Sequence, residues 1–188
     1  MIKKKYYTWQ DIERMCVQLV NDMYKDKWQP DYIVGLTRGG NVPATIISNM
    51  TNIPADTLQV NFRDNGLYTE SNCWMAEDAY GYGVKPTEGY FDSVTGSIAE
   101  KRKKILIVDD INDSGKTFDW IVTDWQSSCA PGDIAWKEIW GNSVRFAVLT
   151  ENLSSNFELV NYYADTVNKA EEDVWLVYPW EDVGKYGR

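Results

Sequence analysis

Three carboxylates, Asp109, Asp110 and Asp113, fall within five positions of one another in the stretch Ile105-Leu106-Ile107-Val108-Asp109-Asp110-Ile111-Asn112-Asp113-Ser114-Gly115-Lys116-Thr117. Carboxylates accept hydrogen bonds from hydroxyl groups, and a small Gly-containing loop that opens a helix offers free N–H groups to a phosphate. A ligand carrying both vicinal hydroxyls and a phosphate suits this order of residues. The elements needed to hold it are legible on either side. Ile105 to Val108 are uniformly apolar and mostly β-branched, which predicts a central parallel strand buried on both faces. Phe118, Ile121, Val122 and Trp125 follow at helical spacing.

A second strand, loop and helix occurs earlier. Tyr32 to Leu36 reads as a buried strand, Thr37-Arg38-Gly39-Gly40 as a loop, and Val42 to Met50 as a helix with Pro43 in its first turn. Arg38 supplies a planar, permanently charged donor, and the two glycines allow close approach of the backbone to an anion.

Composition narrows the chemistry. The chain has 188 residues, 19 basic and 28 acidic, for a formal charge of −9. That balance argues against a broad nucleic-acid or anionic-membrane surface. Histidine is absent, which leaves acid–base work to carboxylates, Lys, Tyr or Cys. Cys16, Cys73 and Cys129 are odd in number and widely spaced, as expected of reduced thiols in the cytoplasm. No apolar run has the length of a membrane span, and Met-Ile-Lys-Lys-Lys is not followed by the apolar core of a signal peptide.

The remaining pattern predicts one domain, 1-188, of the α/β class: a doubly wound, mostly parallel sheet flanked by helices. Thr8 caps a helix whose apolar face is Ile12, Met15, Cys16, Leu19, Val20 and Met23. Thr57 to Phe62 alternates as a strand. From about 64 to 103 no period is sustained, and a stretch of that length is functional or mobile. A short helix or insertion at Ile134 to Trp140, strands at Val144–Leu149 and Val160–Ala164, and a closing apolar segment, Asp173 to Glu181, complete the chain.

The central stretch resembles the ribose-5-phosphate-binding signature of the type I phosphoribosyltransferases. With Leu36-Thr37-Arg38-Gly39-Gly40-Asn41-Val42-Pro43 and Asp173-Val174-Trp175-Leu176-Val177-Tyr178-Pro179-Trp180-Glu181 it is most similar to the bacterial-type xanthine-guanine enzymes. The resemblance implies transfer of a 5-phosphoribosyl group from phosphoribosyl pyrophosphate to a nucleobase, a purine such as guanine, xanthine or hypoxanthine, with release of pyrophosphate. It implies that Asp109 and Asp110 hold the ribose hydroxyls. Asp113 is the catalytic carboxylate and, with Ser114, Gly115, Lys116 and Thr117, part of the 5′-phosphate cradle. Thr37, Arg38 and Gly39 meet the pyrophosphate, across a non-proline cis peptide at Thr37–Arg38. Trp175 stacks on the base and the Leu176 carbonyl reads its edge. Mg²⁺ is the implied cofactor, with Asp110 as its protein ligand, and the implied assembly is a homo-oligomer, dimer or tetramer. The segment 64–103 would be a flap over the reacting centre, with Arg63, Tyr80, Tyr82 and Lys85 available to it, and residues from about 165 to 188 a hood.

Two positions depart from the family's pattern. Asn112 stands where an aliphatic residue is usual. The strand after the central motif ends Leu149-Thr150-Glu151-Asn152, without the lysine that donates to a purine's 6-oxo group in such enzymes, and Glu151 only accepts; this leaves open an altered base or a donor at Thr150, Asn152 or in the flap. A protein of this fold that binds a sugar diphosphate without turnover is the alternative. Ser114-Gly115-Lys116-Thr117 is not a nucleotide-triphosphatase loop, because Asp110 occupies the required glycine. A calcium loop from Asp110 fails at Ile121, where a bidentate acid is needed.

Overall fold

The computed structural model describes residues 3–60, 73–81, 102–181 and 184. In chain order the elements are β1 (Lys3–Tyr6), α1 (Trp9–Lys25), β2 (Tyr32–Thr37), α2 (Asn41–Thr51), β3 (Ala55–Gln59), α3 (Cys73–Tyr80), β4 (Ile105–Asn112), α4 (Lys116–Ser128), α5 (Trp136–Ile139), β5 (Val144–Asn152), β6 (Val160–Val167) and β7 (Val174–Val177). Five strands form a wholly parallel sheet in the order β3-β2-β4-β5-β6, so β4, the strand carrying the acids, lies at its centre.

Alternation along the strands divides the core in two. Ile105 and Ile107 of β4, with Phe146 and Val148 of β5, face Met75, Phe118, Ile121, Trp125 and Trp136 from α3, α4 and α5. Leu106 and Val108, with Ala147 and Leu149, face Ile12, Leu19 and Met23 of α1 and Ile47 of α2. Two faces covered by helices make every β4 side chain from Ile105 to Val108 a core residue. At about 1.5–3 kcal/mol for each large apolar side chain removed from water, these four hold the strand end in place. Helix α1 begins as its sequence predicts: Asp11 N–H donates to the Thr8 hydroxyl at 3.2 Å, and Thr8 N–H donates to the Asp11 carboxylate at 2.9 Å.

Several elements differ from the sequence reading. β1 was not expected. It is a charged edge strand that forms a separate two-stranded parallel sheet with β7, pairing Lys4 with Trp175 and Tyr6 with Val177. Its partner lies at the other end of the chain, so no local pattern marks it. β3 starts earlier than Thr57, because the Pro54 carbonyl already accepts from Ile33 N–H at 2.9 Å. β5 and β6 run on to Asn152 and Val167.

Helix α3 lies inside the stretch expected to be a featureless flap. Met75, Ala76, Ala79 and Tyr80 are buried against α4 and α5, so this part of 64–103 is core structure. Tyr80 is not available to a closing loop. It packs on Trp136 with ring centroids 5.6 Å apart and donates to Asp133. Arg63, Tyr82 and Lys85 lie outside the described residues. Among the described residues no helix is long and apolar enough to cross a membrane.

Candidate functional site

The carboxyl ends of β2 and β4 meet. β2 ends in Thr37, the Thr37–Arg38 peptide bond is cis, and Gly39 and Gly40 lead directly into α2. A methyl group on Gly39 would sit 2.0 Å from Oδ2 of Asp110, and one on Gly40 would sit 2.2 Å from the Val108 carbonyl oxygen. Only a chain without side chains at both positions can lie this close to β4. Gly40 N–H also donates to the Asp109 carboxylate, as does Asp110 N–H at 2.9 Å. The Arg38 loop and the acidic pair are therefore one structure, with the Arg38 side chain exposed.

Burial and then the neighbouring Asp110 hold the Asp109 carboxyl well above the usual carboxylate range. Asp110 is pushed up to about 6 by burial and then by Glu181. Two adjacent acids that resist ionisation at the carboxyl end of the central strand form a site for hydroxyl donors or a cation.

Beyond them the chain turns through exposed Asp113 and Ser114 into α4. Gly115 adopts φ +84°, and a methyl group there would lie 2.7 Å from Cβ and N of Phe157. No side chain caps this thirteen-residue helix. Its first N–H groups and the positive end of its dipole thus lie free at Gly115, beside Lys116 and Thr117, an arrangement able to hold an anion.

Asn112, the unusual residue of the motif, is buried and braces this loop. Its amide donates to Glu151 Oε1 at 2.8 Å and to the Phe157 carbonyl at 3.0 Å, and its oxygen accepts from the Ser155 hydroxyl at 3.0 Å. Ser155 and Phe157 are the residues against which Gly115 packs. Asn112 thus forms a polar knot behind the phosphate-type loop.

The residues after Leu149 are all engaged. Thr150 is fully buried between two hydroxyls, Tyr178 at 3.0 Å and Tyr7 at 3.2 Å. Glu151 turns to Asn112, and burial pushes it up to about 7. Asn152 donates to the Asp113 carbonyl at 2.9 Å. Thr150 and Asn152, the two donors considered for a base, are thus committed to holding the site together.

β7 delivers the closing segment. Trp175 is 51% exposed, whereas Leu176 is buried. Tyr7 N–H donates to the Val177 carbonyl at 3.0 Å, so in this parallel ladder the peptide groups of Leu176 point away from β1. Three side chains that sequence reasoning missed complete the junction. Tyr178 donates to the Asp110 carbonyl at 2.9 Å, locking the segment after β7 to the acidic strand end. Tyr7 stacks on Tyr178 with centroids 5.1 Å apart and donates to Asp165 at 2.8 Å. Lys169, in the loop between β6 and β7, places its ammonium 2.9 Å from Oδ1 of Asp113. Tyr178 and Lys169 belonged to the segment already singled out as a hood, without a role for either; Tyr7 carries no local signal.

The model of the phosphoribosyl transferase domain matches residues 3–179. The chain belongs to the phosphoribosyl transferase family. It is similar to a hypoxanthine-guanine phosphoribosyltransferase of Schizosaccharomyces pombe, with 27% identity over 190 residues covering 94% of this chain and 88% of that protein. It is also similar to a xanthine-guanine phosphoribosyltransferase of Cereibacter sphaeroides, 26% identical over 155 residues, covering 82% and 71% of the two chains. Among solved structures, a purine phosphoribosyltransferase of Pyrococcus horikoshii superposes with a TM-score of 0.61 at 23% identity, over 100% of this chain and 99% of that one. The protein is a phosphoribosyltransferase with the parallel sheet and flanking helices of its family.

Proposed function

We propose that this phosphoribosyltransferase moves the 5-phosphoribosyl group of phosphoribosyl pyrophosphate onto a 6-oxopurine base and releases pyrophosphate. The contact of Gly39 with the Asp110 carboxylate carries this reading, because it joins a diphosphate-type loop to a ribose-type acidic pair within one site. The purine relatives from S. pombe and C. sphaeroides support the class of base.

In the reaction the bond from ribose C1 to the pyrophosphate oxygen breaks and a bond from C1 to the base nitrogen forms. Positive charge grows on the sugar and negative charge on the leaving group. Asp109 and Asp110 accept the ribose hydroxyls and set the sugar's orientation. Ser114, Gly115, Lys116 and Thr117, with the backbone of Asp113, surround the 5′-phosphate at the start of α4. Thr37, Arg38 and Gly39 hold the pyrophosphate. The carboxylate of Asp113 lies beside C1, where it stabilises the developing cation and takes the proton that the base gives up. Trp175, exposed, stacks on the base, and the Leu176 carbonyl accepts from its edge.

A divalent ion, Mg²⁺, suits the acidic pair. Two half-buried carboxyls with raised proton affinity gain from a nearby cation. Asp110 and substrate oxygens would hold such an ion. When bound it neutralises charge on the diphosphate. Residues 1–188 act as a single domain, the segment from about 165 serves as a hood, and the active form is a cytoplasmic homo-oligomer.

Exchange of Asp113 for asparagine tests the assignment at the reacting carbon. Asp113→Asn lowers kcat by about 10²-fold with affinity for phosphoribosyl pyrophosphate retained. An unchanged rate removes Asp113 from this role.

A further inference from the structure

Among the described residues Lys169 is the cation that pairs with the candidate catalytic carboxylate, and its place is built rather than incidental. Its backbone N–H donates to Oδ1 of Asn152 at 3.0 Å, while Nδ2 of the same asparagine donates to the Asp113 carbonyl at 2.9 Å. Asn152 is 5% exposed, so one buried side chain clamps the β6–β7 loop to the loop after β4. Leu153 N–H adds a bond to the Val167 carbonyl at 2.8 Å. On this clamp the Lys169 side chain, 21% exposed, reaches Asp113 Oδ1 at 2.9 Å.

An ammonium and a carboxylate at this separation match one edge of one kind of base. In a 6-oxopurine the oxygen on C6 and the nitrogen N7 lie side by side, roughly 3 Å apart, presented to the same direction. The tautomer with hydrogen on N7 leaves the N9 lone pair free to attack ribose C1. Its N7–H then points at a carboxylate and its 6-oxo oxygen at a donor. A 6-amino group presents N–H where the 6-oxo compound presents a lone pair, and an ammonium repels it.

We propose that Lys169 is the residue that selects the base: it donates to the 6-oxo oxygen while the adjacent Asp113 accepts from N7. This rests on the proposed reading of Asp113. It assigns the donor missing from Leu149-Thr150-Glu151-Asn152 to a different loop, brought in by Asn152.

The test compares inosine 5′-monophosphate with adenosine 5′-monophosphate, which differ at the 6-position, by calorimetric titration into the whole chain. The native protein binds the inosine nucleotide at least 10-fold more tightly. Lys169→Met loses roughly 10- to 100-fold in affinity for it, the scale of a hydrogen bond to a charged group, and binds the adenosine nucleotide at least as tightly as the native protein does. Lys169→Arg, which keeps the charge, recovers part of the preference. The ion pair has its Asp113 side chain 53% exposed, so its loss leaves the fold intact. A thermal midpoint within a few degrees of the native one checks this. A preference undiminished in Lys169→Met overturns the proposal, as does failure of the native protein to bind either nucleotide. Lys169-dependent preference without turnover of any base would sustain this inference and overturn the catalytic reading instead.

Discussion

Asn112 and Glu151 stand opposite each other on β4 and β5, with the amide of one 2.8 Å from the carboxylate of the other. Glu151's second oxygen is buried without a hydrogen-bond partner among the described residues. The pair sits directly behind the turn that opens α4, and Ser155 and Phe157 connect it to Gly115. The geometry of the phosphate-type loop therefore depends on a polar contact buried beneath it.

Replacing Asn112 with leucine restores the residue type usual at this position but leaves Glu151 buried and unpaired. The expected cost is about 1–3 kcal/mol. Urea unfolding gives the stability change, and the apparent affinity for phosphoribosyl pyrophosphate weakens with it. A variant as stable as the native protein would show that the knot contributes nothing.

Glu151 also makes stability depend on pH. Its folded-state value is raised from 4.5 to about 7 by burial, opposed by the Asn112 amide. Between these values the folded chain keeps a proton that the unfolded chain has released, so stability falls as pH rises through that window. Asp109 and Asp110 act in the same direction. Glu151→Gln therefore loses less stability than the native protein between pH 5 and pH 8, measured as urea midpoints. Parallel losses in the two proteins would contradict the assignment.

Gly39→Ala places a methyl group 2.0 Å from the Asp110 carboxylate, and one of them must move. A displacement of about 1 Å at a reacting centre costs on the order of 10²-fold in kcat/KM. The thermal midpoint changes little, because Gly39 lies on the surface loop rather than in either core. Retained activity would separate the Arg38 loop from the acidic pair.

Tyr178→Phe removes the donor to the Asp110 carbonyl and the acceptor for the Thr150 hydroxyl. Loss of one such hydroxyl costs about 1 kcal/mol, and the thermal midpoint falls by roughly 2–4 °C. The KM for the base rises, because the hood is less firmly joined to β4. An unaltered KM would leave Tyr178 a purely structural residue.

Much of the site was readable because its signals are local. Asp109, Asp110 and Asp113 reach one strand end by virtue of the apolar run before them, and the Thr8–Asp11 cap is written in four residues. The unbroken apolar run Ile105 to Val108 sufficed to place β4 at the centre of the sheet. What stayed hidden depends on distant pairing. Lys3–Tyr6 becomes a strand only because β7 returns beside it. Helix α3 buries Met75, Ala76, Ala79 and Tyr80, a face of two turns too short to stand out from its glycine- and tyrosine-rich surroundings. Lys169 and Asp113 are joined through Asn152, a relationship that no spacing in the chain expresses.

The central claim is that one site holds phosphoribosyl pyrophosphate and a 6-oxopurine in reacting geometry. Pyrophosphate release measured with Mg²⁺, phosphoribosyl pyrophosphate and, in turn, hypoxanthine, guanine, xanthine and adenine tests it most directly. Release with at least one of the three 6-oxopurines, well above that with adenine, is the predicted result. Tight binding of phosphoribosyl pyrophosphate with no pyrophosphate released by any base would contradict it.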